Sequence, residues 1–439
     1  MSGEVTWTSS PPGVPLGGEL CIPGDKSISH RAIMLTSIAD GSSRIDGFLE
    51  AGDTRATVAM FASLGVGIDV PATGVRLVHG VGIDGLTAAS RVLDCGNSGT
   101  AMRLAAGLLA GQRFDSILAG DASLSRRPMR RVIEPLREMG ADIVARDGGF
   151  SPLRIRGGRA LRGIDCTTPV ASAQVKSAIL LAGMYAEGET RVRELPATRD
   201  HTERMLAAFG WPIAFGHDGA RMTGGQRLRA TDVVVPGDFS SAAFFIVAAT
   251  LVPGSDLLLR GVGLNPRRSG LLDVLGRMGA DIRVDSAHQC GGEPVADLRV
   301  RHAPLRGIGI GPAAVADMID EFPVLFVAAA AAQGRTVIRG AGELRVKESD
   351  RIAVMASGLR ALGAGVTETP DGVVIEGGAL AGGVVHSADD HRCAMSFAVA
   401  GLIARTPVVV HQCAHVGTSF PGFADLANTC GFELVVEGE

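Results

Sequence analysis

Three lysines stand out in a chain that otherwise takes its positive charge from arginine. Lysine and arginine together number 42, and the lysines are Lys26, Lys176 and Lys347. Where arginine is used almost everywhere, the remaining lysines are candidates for sites that need a compact ammonium group able to bind oxygen or transfer a proton. Each lies in or beside a polar cluster near the expected start of a helix. A chance placement of all three is the less favoured interpretation.

Polar clusters of this kind precede six apolar stretches that read as buried helices. Each stretch is rich in small and apolar residues on nearly all faces, which is typical of a helix inside a core. The clusters contain Ser, Asp or Asn, the residue types that cap helix N-termini. Helix N-termini attract anions through free N–H groups and the helix dipole. We therefore expect anionic ligands at these helix starts, which occur in DKSISHRAIML, GNSGTAMRLAA, SAQVKSAILL, GDFSSAAFFIV, IDEFPVLFVA and DDHRCAMSFAV.

A second recurring phrase shows that the chain is built from repeats. It has an apolar residue, a glycine, a variable pair and then an apolar or β-branched run, and it occurs six times at a spacing near seventy residues. The pattern predicts a unit of buried helix, strand, second helix ending at glycine, and further strands. Six units divide naturally into two domains of three, with a stacked solenoid as the alternative. The glycines are Gly65, Gly140, Gly210, Gly279, Gly363 and Gly431.

Length, composition and charge narrow the class of protein. A chain of 439 residues with 46% hydrophobic and 20% charged residues is expected to fold as at least two domains. The net charge of -4 disfavours a nucleic-acid partner. The seven cysteines are scattered without a CxxC pair, which is typical of reduced thiols and offers no zinc motif. The start of the chain does not read as a signal peptide and no apolar run is long enough for a membrane span, so we expect a cytoplasmic protein.

Seven of the polar strings occur in a fixed order that resembles the 5-enolpyruvylshikimate-3-phosphate synthase family over essentially the whole chain. The resemblance implies an α/β (α+β) fold, an inside-out α/β barrel of six βαβαββ units with buried parallel helices. It further implies an N-terminal domain at residues 23–237 and a second domain formed by 1–22 and 238–439. The strings are GDKSISHR (24–31), GNSGTAMR (96–103), RRPM (126–129), SAQ (172–174), Asp320–Glu321, RVKESDR (345–351) and DHR (390–392).

The resemblance implies a reaction in which the 5-hydroxyl of shikimate 3-phosphate adds to C2 of phosphoenolpyruvate and phosphate is then lost. It implies Asp320 as the base for the hydroxyl, Glu348 as the acid for C3, and Lys26 as a further catalytic group. Bidentate guanidinium groups suit the phosphates and carboxylates of both substrates. Shikimate 3-phosphate is expected to contact Lys26, Ser27, Arg31, Ser172, Ala173, Gln174, Arg199, Asp320 and Lys347. Phosphoenolpyruvate is expected to contact Lys26, Gly99, Arg127, Gln174, Arg351 and Arg392.

Several of these residues have simpler interpretations when each is taken alone. Ser172 is equally an N-cap, Gly99 a turn before a helix, and Arg199 an ordinary surface arginine. A lysine beside a carboxylate, as at Lys347 and Glu348, is often a capping arrangement. Arg103, Arg126 and Arg130 are expected to be structural or surface groups.

The chain departs from the better-known branch of the family at a few positions. Thr418 stands where many members have a lysine against phosphoenolpyruvate, Ala173 where they often have a second serine, and Leu104 where they often have proline. These departures suggest a divergent bacterial branch of the same family. They leave open which cation closes the far side of the phosphoenolpyruvate site.

Two rival interpretations remain. One is the sister enzyme that transfers enolpyruvyl to UDP-N-acetylglucosamine. It is disfavoured because Ser27 follows Lys26, where that family has Asn, and because no cysteine lies between Cys95 and Cys166. The other is a non-catalytic repeat scaffold that binds phosphorylated ligands, which the presence of Asp320 and Glu348 disfavours. The expected partners are the two small-molecule substrates, without cofactor, metal, nucleic acid or membrane, and the expected assembly is a monomer.

Overall fold

A computed structural model describes residues 5–168 and 171–438. Within these residues the chain forms two compact units. The N-terminal unit consists of Gly24–Pro236 together with the short segment Gln289–Glu293. The C-terminal unit consists of the chain up to Pro23, Gly237–His288, and the chain from Pro294 onward.

Twelve α-helices occur in the described part of the chain. They are α1 (Lys26–Ser37), α2 (Gly52–Ser63), α3 (Gly99–Ala110), α4 (Arg130–Glu138), α5 (Ala173–Gly183), α6 (His201–Ala208), α7 (Phe239–Leu251), α8 (Gly270–Met278), α9 (Phe322–Ala331), α10 (Arg351–Ala361), α11 (His391–Gly401) and α12 (Phe423–Thr429).

The same residues contain twenty-four strands. They are β1 (Thr6–Ser10), β2 (Gly17–Cys21), β3 (Asp40–Asp46), β4 (Gly67–Asp69), β5 (Val75–Val81), β6 (Leu93–Asp94), β7 (Ser116–Ala119), β8 (Asp142–Arg146), β9 (Phe150–Arg156), β10 (Asp165–Thr167), β11 (Glu189–Arg193), β12 (Ile213–Gly216), β13 (Gly219–Thr223), β14 (Val233–Val234), β15 (Asp256–Gly263), β16 (Asp281–Cys290), β17 (Glu293–Arg301), β18 (Gly309–Ile310), β19 (Arg335–Ile338), β20 (Gly365–Thr369), β21 (Gly372–Glu376), β22 (Gly383–His386), β23 (Val408–His411) and β24 (Glu433–Glu437).

The strands form six four-stranded sheets, each belonging to one repeat, as far as the described residues show. In the unit from β6 to β9, β6 pairs in parallel with β7 across the buried helix α3, and β8 and β9 follow α4 as an antiparallel hairpin. Strand β9 returns to pair with β7. The predicted βαβαββ unit is therefore confirmed.

Three sheets obtain a strand from a distant part of the chain. Strand β14 pairs in parallel with β3, and β2 pairs in parallel with β15. Strand β1 lies between β23 and β24 and pairs antiparallel with both. The start of the chain thus completes sheets of the C-terminal unit, and the end of the N-terminal segment completes its own first sheet.

The six repeat glycines end the second helix of each unit in a left-handed conformation. Their φ angles lie between +81° and +108°. Only glycine adopts such angles without a steric cost, so a side chain at these positions would strain the turn into the next strand. The sequence prediction of a glycine cap is confirmed at Gly65, Gly140, Gly210, Gly279, Gly363 and Gly431.

Each unit has its own hydrophobic core around the first helices of its repeats. In the C-terminal unit, α9 packs against both α7 and α11, and nearly every residue of α7 is buried. In the N-terminal unit, α3 packs against α5 and α1. These helices are buried along most of their length, which agrees with their high content of small and apolar residues. Their N-terminal turns carry the polar clusters.

Candidate functional site

Arg31 is a buried cation in the N-terminal unit that is held by uncharged groups. Helix α1 begins after Asp25, whose side chain accepts a hydrogen bond from the Ile28 N–H at 2.9 Å. One turn later, Arg31 is 4% exposed. Its Nε donates to the Thr202 hydroxyl at 2.7 Å, Nη2 to the Ser177 hydroxyl at 2.8 Å, and Nη1 to the Ser27 carbonyl at 2.9 Å. Among the described residues these partners are all neutral, so the guanidinium is suited to an incoming anion.

A second arginine lies close enough to act on the first. Burial, followed by the positive charge of Arg199, lowers the pKa of Arg31 to about 10. Arg199 is half-buried in the segment between β11 and α6. A bound anion would favour the charged form of Arg31, because an opposite charge nearby offsets the repulsion from Arg199. This arrangement can bind a phosphate or a carboxylate.

Lys26 begins α1 and forms an ion pair with α2. Its Nζ lies 3.1 Å from Oδ2 of Asp53, and both side chains are largely buried. The pair fixes the ammonium at the N-terminal end of a helix that also carries Ser27 and Arg31. The positive end of the helix dipole adds to the same positive field.

Gly99 lies close to the guanidinium groups of Arg103 and Arg127. Helix α3 begins at Gly99, and Ser98 caps it by accepting a hydrogen bond from the Ala101 N–H at 3.1 Å. A Cβ atom on Gly99 would lie 3.0 Å from Arg103 Nη1 and 3.5 Å from Arg127 Nη1. Glycine therefore leaves the space in which these two cations and the helix start meet.

The amide of Gln174 is oriented from both sides. Its Oε1 accepts a hydrogen bond from Arg103 Nη1 at 2.6 Å, and its Nε2 donates to the Thr100 hydroxyl at 2.9 Å. Gln174 lies at the start of α5, next to Ala173 and the N-cap residue Ser172. Because Nε2 carries two hydrogens, one remains for a ligand.

Arg127 is held by the loop that precedes α3. Its Nη2 donates to Asn97 Oδ1 at 2.7 Å, and its backbone follows a short 3-10 helix at Leu124–Arg126. At the level of sequence, only the family resemblance assigns Gly99 and Arg127 to the same ligand. In the structure they are neighbours because the strings at 96–103 and 126–129 flank the same buried strand, β7.

Arg351 is the centre of a charged cluster in the C-terminal unit. It is the first residue of α10, which Asp350 caps through the Ala353 N–H. The side chain is 1% exposed. Its Nη2 donates to Glu348 at 2.7 Å, its Nε to Asp390 at 2.9 Å, and its Nη1 to Asp320 at 3.3 Å. Although burial works against the charge, these carboxylates raise the pKa of Arg351 above its usual range.

Asp320 is surrounded by cations. Besides Arg351, Lys347 Nζ lies 3.9 Å from its Oδ1 and Arg392 Nη2 lies 4.0 Å from its Oδ2. Arg392 also donates to the Asp320 backbone carbonyl at 3.2 Å. The structure thus brings together all five residues that the sequence placed in this part of the site, which are Asp320, Lys347, Glu348, Arg351 and Arg392.

Two nearby carboxylates are distinguished from these by their surroundings. Glu321 is buried and accepts a very short hydrogen bond from the Ser240 hydroxyl, and burial raises its pKa. Asp390 is buried too and caps α11 by accepting from the Arg392 N–H at 2.9 Å. Burial opposes its ionisation, but the charges of Arg351 and His391 lower the pKa of Asp390. The Glu321 carboxylate contacts Ser240 in the first turn of α7, and the Asp390 carboxylate caps α11. The side chains of Asp320 and Glu348 are partly exposed.

Sequence reasoning assigned Arg103 to the structural or surface groups and left Lys176 without a role. Arg103 donates a hydrogen bond to Gln174 and so has a structural contact at the start of α5. Lys176 is buried in an ion-pair cluster with Glu194 and Glu203. Membership of the string GNSGTAMR was a signal for Arg103, and the scarcity of lysine was a signal for Lys176.

The described residues contain no group of three or more His, Cys, Asp or Glu side chains placed to hold a metal ion. In the same part of the chain, no helix combines the length and apolar character that a membrane span requires.

The sequence is similar to a known protein family and to named relatives along nearly its full length. The sequence model of the family described as EPSP synthase (3-phosphoshikimate 1-carboxyvinyltransferase) matches residues 11–426. A relative named 3-phosphoshikimate 1-carboxyvinyltransferase from Xanthomonas axonopodis pv. citri (strain 306) is 64% identical over 426 residues, 97% of each chain. A relative of the same name from Xanthomonas euvesicatoria pv. vesicatoria (strain 85-10) is 63% identical over the same share.

A solved structure is also similar to this chain. The EPSP synthase from Acinetobacter baumannii superimposes with a TM-score of 0.90 at 48% identity, covering 99% of this chain and 100% of that one. These proteins are similar to the present chain along nearly its full length.

Proposed function

This chain belongs to the EPSP synthase family, and from that premise we propose that it transfers the enolpyruvyl group of phosphoenolpyruvate to the 5-hydroxyl of shikimate 3-phosphate and releases phosphate. The resemblance read from the seven ordered strings is confirmed by the family match. The reaction belongs to the shikimate pathway, which leads to the aromatic amino acids.

The observation that carries the proposal is the sharing of one guanidinium by two partly exposed carboxylates. Arg351 binds both Asp320 and Glu348. Addition of an alcohol to an enol phosphate needs one group to accept the hydroxyl proton and another to give a proton to the terminal carbon. We assign the first task to Asp320 and the second to Glu348 in its protonated form.

The steps follow from these assignments. Asp320 takes the proton of the 5-hydroxyl while the hydroxyl oxygen forms a bond to C2 of phosphoenolpyruvate. Glu348 protonates C3. The resulting tetrahedral carbon carries both the shikimate oxygen and the phosphate. Loss of a proton from C3 to Glu348 then restores the double bond as the bond between C2 and the phosphate oxygen breaks, and the departing phosphate takes the proton that Asp320 holds. Lys347, Arg351 and Arg392 stabilise the negative charge around these steps, as their contacts with Asp320 support.

The uncharged hydrogen-bond partners of Arg31 support its assignment to shikimate 3-phosphate. A bound anion would give this buried guanidinium a charged partner within hydrogen-bond reach. Arg199, whose charge acts on Arg31, is assigned to the same ligand. The proposed contacts of shikimate 3-phosphate are Lys26, Ser27, Arg31, Ser172, Ala173, Gln174, Arg199, Asp320 and Lys347.

The space at Gly99 supports its assignment to phosphoenolpyruvate. Arg127 beside it supplies a guanidinium for a phosphate or carboxylate. The Thr418 hydroxyl donates to the His415 carbonyl at 2.7 Å, so it does not replace the lysine found there in many members. The proposed contacts of phosphoenolpyruvate are Lys26, Gly99, Arg127, Gln174, Arg351 and Arg392.

The division into functional domains is proposed from the sequence and the family resemblance. We take residues 23–237 and 1–22 with 238–439 as the functional domains, which correspond closely to the two compact units. A monomeric state and a cytoplasmic location belong to the same proposal.

The test compares two acceptors. The enzyme is incubated with phosphoenolpyruvate and either shikimate 3-phosphate or UDP-N-acetylglucosamine, and the products are identified by mass spectrometry. An enolpyruvyl adduct of shikimate 3-phosphate alone is the expected result. An adduct of the nucleotide sugar alone would overturn the acceptor assignment.

A further inference from the structure

Lys176 is buried between two carboxylates in the N-terminal unit. Its Nζ lies 2.6 Å from Glu194 Oε2 and 2.7 Å from Glu203 Oε1, and the three side chains are 2%, 0% and 1% exposed. They belong to different elements: Lys176 to α5, Glu194 to the segment after β11, and Glu203 to the first turn of α6. The cluster therefore joins three parts of the unit.

The cluster holds every polar group of Thr198. Glu194 Oε2 accepts from the Thr198 N–H at 3.1 Å, and Oε1 accepts a very short hydrogen bond from its hydroxyl. Lys176 Nζ donates to the Thr198 carbonyl at 3.4 Å. Arg199 is the next residue. A backbone fixed on its N-terminal side by Thr198 and on its C-terminal side by α6 has little freedom to move.

Burying these charges is costly, which makes a purely stabilising role a poor explanation. Burial raises the pKa of Glu203, more than the neighbouring Lys176 lowers it. Burial also opposes the charge on Lys176, yet Glu203 and Glu194 together raise its pKa above the usual value. Apolar side chains of the same size are often as stable as a buried ion pair, so a buried ion pair is weak evidence for stability. The three hydrogen bonds to Thr198 favour a role in fixing its geometry.

We propose that Lys176 is a positioning residue for substrate binding: together with Glu194 it fixes Thr198, and through it Arg199, in the place that receives the phosphate of shikimate 3-phosphate. The inference rests on the proposed role of Arg199. The start of the same helix carries Ser172, Ala173 and Gln174, so α5 both binds the ligand and holds the neighbouring arginine. Lys176 itself does not touch the substrate.

The test is a double-mutant cycle. Lys176→Met keeps the length of the side chain and removes the charge, and it should raise the KM for shikimate 3-phosphate by about ten- to a hundredfold, as a small misplacement of a binding group does. The KM for phosphoenolpyruvate should change much less. Arg199→Ala should raise the KM for shikimate 3-phosphate as well. In the Arg199→Ala background, Lys176→Met should add little, because its effect passes through Arg199.

The control removes another buried cation from the same unit. Arg76, on β5, pairs with Glu50 at 2.8 Å and is 4% exposed. Arg76→Met should lower the melting temperature without a selective change in the KM for shikimate 3-phosphate. If Lys176→Met does not fold, Glu194→Gln, which removes the charge that holds Thr198, takes its place in the cycle.

The outcomes separate the inference from the function. A lower melting temperature with an unchanged KM for shikimate 3-phosphate in Lys176→Met, while Arg199→Ala raises that KM, overturns the inference and leaves the proposed function in place. Equal effects of Lys176→Met with and without Arg199 also overturn it. An unchanged KM in Arg199→Ala overturns the role of Arg199 and the inference with it. Wild-type enzyme without turnover contradicts the proposed function itself.

Discussion

Arg351 and Glu348 are joined by a hydrogen bond of 2.7 Å across the start of α10. The same guanidinium binds Asp320 at 3.3 Å, so the two carboxylates proposed for proton transfer are oriented by one buried cation. Helix α10 is fixed in turn by the contact of Arg351 with Asp390 on the neighbouring helix start. The relative position of Asp320 and Glu348 therefore depends on how the starts of α9, α10 and α11 pack together.

Replacing either proton-transfer carboxylate by its amide should abolish most of the turnover. Asp320→Asn and Glu348→Gln keep the shape of each side chain but remove its ability to exchange a proton, and kcat should fall by about a hundred- to ten-thousandfold. Substrate binding should be retained, which equilibrium titration with shikimate 3-phosphate measures.

Asp317→Asn is the control for this pair. Asp317 lies three residues before Asp320 and pairs with Arg267 at 3.6 Å rather than with Arg351. Its replacement should leave kcat near the wild-type value. Normal turnover in Asp320→Asn or Glu348→Gln would remove that residue from the mechanism.

Replacing Arg31 by lysine should weaken the binding of shikimate 3-phosphate selectively. Lysine keeps the charge but cannot donate to Thr202, Ser177 and the Ser27 carbonyl with one planar group. Loss of charged hydrogen bonds should raise the KM for shikimate 3-phosphate about ten- to a hundredfold, with a smaller change for phosphoenolpyruvate. Arg44→Lys, at an exposed arginine of β3, should leave both constants unchanged. An effect confined to phosphoenolpyruvate would assign Arg31 to the other substrate.

Adding a methyl group at Gly99 should affect phosphoenolpyruvate. The Cβ of Gly99→Ala would press on Arg103 Nη1 at 3.0 Å and lie 3.5 Å from Arg127 Nη1. Displacing these groups should raise the KM for phosphoenolpyruvate by about tenfold or more, since overpacking costs about 1–3 kcal/mol. The KM for shikimate 3-phosphate should stay close to the wild-type value.

Gly276→Ala is the matched control for Gly99→Ala. Gly276 lies inside α8, where an added Cβ would have no heavy atom within 4 Å. Alanine favours the helix by roughly 0.5–1 kcal/mol, so this variant should be at least as stable as the wild type and equally active. Equal KM values for phosphoenolpyruvate in the two variants would contradict the role of Gly99.

The sequence predicts the local features of this fold better than the contacts between its elements. The six glycine caps and the helix starts at Asp25 and Ser98 follow from residue type and spacing, because caps are formed by residues close in the chain. The contact between Arg103 and Gln174 joins residues 71 apart. It depends on how α3 packs against α5, which no local pattern encodes. For this reason the sequence does not predict the contact of Arg103 with Gln174.

The cluster around Arg351 illustrates the same limit. Ordered strings identified Asp320, Glu348 and Arg351, but they do not reveal that one guanidinium binds both carboxylates. Glu321 and Asp390 are carboxylates in the same strings or beside them. Their contacts separate them from Asp320 and Glu348, since Glu321 accepts from the Ser240 hydroxyl and Asp390 caps α11.

The stability of the C-terminal unit should depend on pH through Asp390. Burial opposes its charge, but Arg351 and His391 lower its pKa from the usual 3.8, so the folded state favours the ionised form. This contribution is present above pH 3.8 and is lost as the pH falls through the lowered pKa. Asp390→Asn should reduce the free energy of unfolding by about 3 kcal/mol near neutral pH, because it breaks a buried ion pair. The difference from wild type should shrink in acid.

Urea unfolding at about pH 7 and about pH 3 measures this difference. Asp256→Asn is the control, since Asp256 pairs with Arg299 and Arg301 at the surface, where solvent screens the pair. It should change the free energy of unfolding far less than Asp390→Asn. A difference for Asp390→Asn that is the same at both pH values would show that the ionised form is not what stabilises the fold.

The central claim is that phosphoenolpyruvate reacts only when shikimate 3-phosphate accepts its enolpyruvyl group. The direct measurement is phosphate release from phosphoenolpyruvate, with and without shikimate 3-phosphate, in buffer freed of metal ions by a chelator. The account predicts rapid release that requires shikimate 3-phosphate and that falls away in Asp320→Asn. Release at the same rate without shikimate 3-phosphate, or none with both substrates bound, would contradict it.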